Sequence, residues 1–222
     1  GLNLFANPLL SFFMHNLGAY TVDRRKQDPL YKHTLKDYCT LTLEHGLDNL
    51  FFPGGTRSRS GAVERALKRG LLGCGLSAYI HNLRRGAARP KVFVVPCTIC
   101  SQLVLEAETL IDDFLKEVGQ SRYVIDDDEF SQPRRVFDFV AQLSELDSKI
   151  HVTVSRGLDV FGNPVDDAGI SLDPGGRAID DRRHLLVGDE PQEMHDRDTE
   201  YTRDLAEAIA RAFAKDNVVE ST

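Results

Sequence analysis

Gly54 and Gly55 stand just ahead of Arg57 and Arg59 in the stretch Phe51-Phe52-Pro53-Gly54-Gly55-Thr56-Arg57-Ser58-Arg59. Glycines free backbone N–H groups to curl around an anion, and arginines add forked, charge-assisted hydrogen bonds. A phosphate suits that combination. The spacing is not that of a nucleotide P-loop, which requires lysine in G-x-x-x-x-G-K-[ST]. Gly73-Cys74-Gly75-Leu76-Ser77-Ala78 superficially fits a dinucleotide turn, yet it follows a helical stretch rather than a strand and reads as helix-end packing.

Other reactive types are sparse. His184 and Asp189 have the spacing of a base and its orienting carboxylate, but they lie far along the chain on what reads as a strand and its exit turn. His15, His33 and His45 have no Asp five residues on and read as helix-surface or core-edge histidines. Cys97-Thr98-Ile99-Cys100 is a C-x-x-C without the second pair of a zinc ribbon. It and the other two cysteines, Cys39 and Cys74, read as free packing thiols of a reducing compartment, and no metal is expected.

The elements that must position the Gly-Arg loop follow from periodicity. Ala19 to Val22 reads as a short strand ending in Asp23-Arg24-Arg25-Lys26. Asp28-Pro29 opens a helix carrying Tyr31, Leu35, Tyr38 and Leu41, which Gly46 closes. Leu50 to Phe52 is the strand that delivers the loop, residues 62 to 72 the basic amphipathic helix behind it, and Lys91 to Pro96 a continuous apolar strand. Further on, Leu103 to Val118 and Pro133 to Leu146 have helical stripes, and Ile150, Val152 and Val154 alternate as a strand. Gly162 to Thr199 reads mainly as loop, with a short strand at His184 to Val187, before an amphipathic helix carrying Tyr201, Leu205, Ile209 and Phe213. No internal repeat is evident.

Strand, crossover helix and strand in succession predict an α/β fold with a mostly parallel central sheet and flanking helices. Ligands of such sheets gather beyond the carboxyl ends of the strands, where Arg24, the Gly55–Arg59 loop and Pro96 all fall. A single domain over 1–222 is expected, with a motif-bearing core at 1–100 and an acidic part at 101–222. The net charge of −7 hides that division: residues 1–100 hold 14 Lys/Arg against 6 Asp/Glu. A basic half suits anionic substrates or an anionic membrane surface, whereas no aromatic-plus-basic pattern points to nucleic acid. No run of 18 apolar residues is present to span a bilayer, and Leu9 to Met14 reads as the face of a core helix.

Four blocks in order resemble the glycerophospholipid acyltransferase family, in its glycerol-3-phosphate acyltransferase branch. Gly1-Leu2-Asn3-Leu4 looks like the segment before the second family motif, and Gly18 to Arg24 like that motif. Phe52-Pro53 through Gly61 resembles the third motif and Val94-Val95-Pro96 the fourth. Phe161-Gly162-Asn163-Pro164 resembles a feature downstream of them. The resemblance implies acyl transfer from acyl-CoA or acyl carrier protein to glycerol 3-phosphate in phospholipid biosynthesis, with no cofactor beyond that donor. It also implies peripheral attachment to the cytoplasmic face of a membrane.

By resemblance, Arg24 and Arg57 bind phosphate with Arg59 as a further ligand, while Gly55, Thr56 and Ser58 shape the loop and offer donors. Pro96 lies by the acyl group. Two departures stand out. Gly54 replaces the glutamate of the third motif, and the family's first motif, H-x-x-x-x-D, belongs ahead of Gly1, so a chain truncated before its catalytic pair and inactive alone is expected. Two alternatives share the motifs: a 1-acylglycerol-3-phosphate acyltransferase, and a non-catalytic module binding a phosphate ester or phospholipid.

Overall fold

The structure is a computed structural model and describes residues 8–23, 26–54, 66–101 and 150–218. Packing divides the chain into two compact units, one of Gly1–Pro29 with Ser101–Ile150 and the other of Leu30–Cys100 with His151–Thr222.

In the first unit, α1 (Pro8–Asn16) begins with a proline, whose missing N–H costs nothing at a helix start. Phe12 and Phe13 meet edge to face, ring centres 5.6 Å apart, and are 63% and 53% exposed, so this face is not the core face the sequence suggests. Ala19 to Val22 forms no strand.

In the second unit, α2 (Pro29–Glu44) runs between the expected proline and glycine. Its last turn closes with Leu47 N–H bonded to the Thr42 carbonyl and Gly46 N–H to the Leu43 carbonyl, both 3.0 Å, with Gly46 at φ +74°. That is the left-handed glycine stop, which removes the unpaired carbonyls of the helix end. Gly86 ends α3 (Leu72–Arg84) with the same pair of bonds, at φ +63°. Residues 66–71, expected to be helical, are not, and the helix starts only at Leu72. Gly73 and Gly75 therefore lie in its first turns, where their bare backbone lets Thr202, Val92 and Val160 approach.

The long carboxyl-terminal helix α4 (His195–Asp216) is where its apolar spacing predicts, with Thr202, Leu205, Ala206, Ala208 and Ile209 buried. It packs with α3 over two apolar clusters. One joins Leu72, Leu158, Leu205 and Ile209, and the other joins Leu76, Tyr79, Ile80, Val160, Phe161 and Leu185.

Helix and strand are mixed as expected, but a mostly parallel central sheet is not seen among the described residues. β1 (Cys97–Ser101) pairs with β2 (Ile150–Val154) in one two-stranded sheet. A short 3-10 helix (Asp181–Leu185) then leads into an antiparallel hairpin of β3 (Leu186–Val187) and β4 (Glu190–Pro191). Lys91 to Pro96 is not a continuous strand: Val94 makes a single antiparallel bridge to Leu158, and pairing resumes as β1 only after Pro96, which has no N–H to donate. Leu50 to Phe52 is unpaired too, with Leu50 and Phe52 exposed.

The stretch that reads as loop contains a repeat after all. Asp159-x-x-Gly162, Asp166-x-x-Gly169 and Asp173-x-x-Gly176 recur every seven residues. In each, the Asp N–H bonds the carbonyl four residues on, the Gly N–H bonds the Asp carbonyl, and the Gly has φ of +90°, +76° or +79°. An Asp Oδ1 accepts from backbone N–H groups inside every turn. The antiparallel bridges Leu158 to Pro164, Val165 to Ser171 and Leu172 to Ala178 close the three turns. This is the glycine-bulge hairpin loop used three times. An apolar residue, Leu158, Val165 or Leu172, precedes each Asp, but its period of seven is neither that of a helix nor that of a strand.

Candidate functional site

Residues flanking the third motif block and Val94 of the fourth pack on one surface. Phe51 precedes the Gly-Arg loop, Leu67 follows it and Val94 precedes Pro96, and all three pack against the cluster of Leu72, Leu158, Leu205 and Ile209. Lys68 N–H donates to the Pro53 carbonyl at 2.8 Å, so the two stems of the loop are tied to each other. A loop whose ends are bonded and whose flanking apolar residues are fixed on a core loses less entropy when its donors close on a ligand. Pro53 and Gly54 make a turn, and Gly54 leaves no side chain there.

Of the expected site residues, Arg24, Gly55, Thr56, Arg57, Ser58 and Arg59 lie outside the described residues. Pro96 is buried, and its carbonyl accepts from Ser155 N–H at 2.9 Å. Two residues on, the Thr98 hydroxyl is buried without a hydrogen-bond partner among the described residues.

His184 does not pair with Asp189. Its ring sits in the 3-10 helix, not on a strand, with its centre 5.3 Å from that of Phe161 and 5.9 Å from that of Tyr201, while Asp189 lies in the β3–β4 turn. His15, His33 and His45 are exposed, and His33 pairs along its helix with Asp37 at 2.7 Å. The C-x-x-C is on β1 with Cys97 exposed, and Cys39 and Cys74 are buried. No group of three or more metal-ligating side chains gathers among the described residues.

A polar cluster arises that no motif flags. Asp181, 3% exposed, accepts from the Tyr79 hydroxyl at 3.0 Å and the Ser171 hydroxyl at 3.2 Å, and Lys91 Nζ stands 3.3 Å from its second oxygen. Burial, and then the adjacent Asp181 carboxylate, raise the Tyr79 hydroxyl well above the usual phenol range, so it stays a proton donor. The four residues come from separate parts of the chain, and the one signal in the sequence is the acidic pair Asp180-Asp181 directly after the third Asp-Gly turn.

No helix among the described residues is long and apolar enough to cross a membrane. No curated protein and no solved structure matches the chain. Residues 1–100, which carry all four motif blocks, match the model of the Acyltransferase family, and this match supports a transferase of the acyl-transferring kind.

Proposed function

We propose that the protein takes part in phospholipid biosynthesis as an O-acyltransferase, moving an acyl group from acyl-CoA or acyl carrier protein to glycerol 3-phosphate. The family match over residues 1–100 carries this reading, because it covers the four blocks in their order. The common anchorage of Phe51, Leu67 and Val94 supports it, since acyl transfer needs the phosphate loop and the fourth motif close together. In this reading Arg24 and Arg57, aided by Arg59, hold the phosphate. Gly55, Thr56 and Ser58 shape the loop, and Pro96 lies by the acyl group. The acceptor hydroxyl oxygen attacks the thioester carbonyl, a general base takes its proton, the new C–O ester bond forms and the C–S bond breaks to release the thiol.

Peripheral membrane attachment belongs to the same reading. Phe12, Phe13 and Leu17 of the first unit are 63%, 53% and 80% exposed. Exposed aromatic and aliphatic side chains of this kind suit a lipid interface.

Thiol release from acyl-CoA by the full-length gene product, measured with and without glycerol 3-phosphate, tests the proposal. Acceptor-dependent release is expected, and Arg57→Ala should raise the KM for glycerol 3-phosphate by about tenfold or more through loss of a charge-assisted bond. Preference for 1-acylglycerol 3-phosphate would move the protein to the second acylation step. One observation favours a non-catalytic alternative: Gly54 stands where the motif has its glutamate. Saturable binding of glycerol 3-phosphate without thiol release would establish that binding module instead.

A further inference from the structure

Above the Tyr79–Asp181 pair opens a cavity of about 680 Å³, within the range that holds small organic ligands. It lies wholly in the second unit. One wall is apolar, made by Phe93, Ile170 and Ile179. The second Asp-Gly turn builds that wall: Gly169 has no Cβ, and one added there would come within 2.9 Å of the Phe93 ring, so the ring lies directly on the turn. Lys91 Nζ donates to the Gly169 carbonyl at 3.1 Å and fixes the turn from the other side. The cavity is thus formed by packed, hydrogen-bonded parts.

Charge selects the ligand's head. Arg89, Lys91 and Arg182 line the cavity against Asp180 and Asp181, a formal excess of one positive charge. Arg182 is taken by Asp180 at 3.1 Å, and Lys91 is shared between Asp181 and Gly169. Arg89 has no hydrogen-bond or ion-pair partner among the described residues. A guanidinium left open beside an apolar wall suits a carboxylate or phosphate whose body is apolar. A polyanion would lack further open cations, and a cation would meet the excess positive charge.

We infer that this cavity binds a small amphiphilic anion, with its carboxylate or phosphate-monoester head on Arg89 and its apolar body against Phe93, Ile170 and Ile179. The lining shares no residue with those proposed for acyl transfer, and the inference does not depend on that reading.

Calorimetric titration of the whole chain with octyl phosphate and with octanoate tests it, using 1-octanol and inorganic phosphate as the probes that lack a head or a tail. Saturable binding of one or both octyl anions is expected, and which of them binds assigns the head as phosphate or carboxylate. Arg89→Ala should weaken binding about tenfold and remove its salt dependence, and Phe93→Ala should weaken it without changing that dependence. Arg89 is exposed and has no partner among the described residues, so its replacement leaves the fold intact, which circular dichroism verifies. The inference is overturned by absence of saturable binding, by octanol or inorganic phosphate binding as tightly as the octyl anions, or by undiminished binding to the Arg89→Ala protein. Because binding alone is read, such a failure leaves acyl transfer untouched.

Discussion

The first and third Asp-Gly turns share one hydrogen-bond pattern in opposite surroundings. Asp159 is 2% exposed and its carboxylate accepts from Phe161 N–H, Asn163 N–H and the Asn163 side-chain amide, at 2.9, 2.9 and 3.0 Å. Gly162 beside it presses on α4: a Cβ there would stand 3.0 Å from the Ala208 Cβ and 3.2 Å from the Leu205 Cα. In the third turn Asp173 accepts from Arg177 N–H and its guanidinium, while a Cβ on Gly176 would meet nothing within 4 Å. Local chemistry makes the same turn twice, and burial decides how much each contributes to the fold. A lost hydrogen bond in water is replaced by water, whereas one lost beneath a helix leaves N–H groups unpaired.

The contrast yields a ranked set of expectations. Asp159→Ala should have the largest effect, about 3 kcal/mol or more by urea unfolding, because it leaves buried donors without an acceptor. A loss below about 1 kcal/mol would mean that burial does not separate the turns. Next, Gly162→Ala should cost about 3 kcal/mol, adding a clash against α4 to the left-handed backbone penalty, while Gly176→Ala should show the backbone penalty alone, about 1 to 2 kcal/mol. Equal losses would place the whole effect in φ and none in packing.

The smallest effect belongs to Asp173. The backbone N–H of Arg177 above all, opposed by burial and aided by the Arg177 guanidinium, holds the Asp173 carboxyl below its ordinary value of 3.8. A carboxyl depressed in the folded state contributes stability above its ordinary value and loses it as pH falls through the depressed one. That contribution disappears only below about pH 4, so Asp173→Asn should lower stability slightly at pH 7 and the two proteins should converge as pH falls through the depressed value. A loss at pH 7 as large as that of Asp159→Ala, or one that persists undiminished in acid, would contradict the solvent-exposed picture of this turn.

β2 sets another boundary to what a sequence pattern conveys. Alternation of Ile150, Val152 and Val154 predicts the strand, and the strand is there. Its apolar residues are nevertheless 57%, 59% and 66% exposed, with His151 and Thr153 on the more covered side. Period two fixes which residues share a face, but the partner that covers a face comes from elsewhere in the chain. In α4 the same kind of inference succeeds fully, since α3 supplies the partner for Leu205 and Ile209.

Short-range chemistry was readable directly. Pro29 and Gly46 bound α2 because each acts through its own backbone, and the four motif blocks were legible because their residue types and order are linear properties. The threefold turn was also written there, in Asp, Gly and the apolar residue before each Asp, at a period of seven that matches neither helix nor strand. Assembly decided the rest: that Phe51, Leu67 and Val94 share one cluster, and that Tyr79, Lys91, Ser171 and Asp181 meet under a cavity. Contacts between distant residues depend on which surfaces remain to be buried once every local element has formed, and that sum runs over the whole chain.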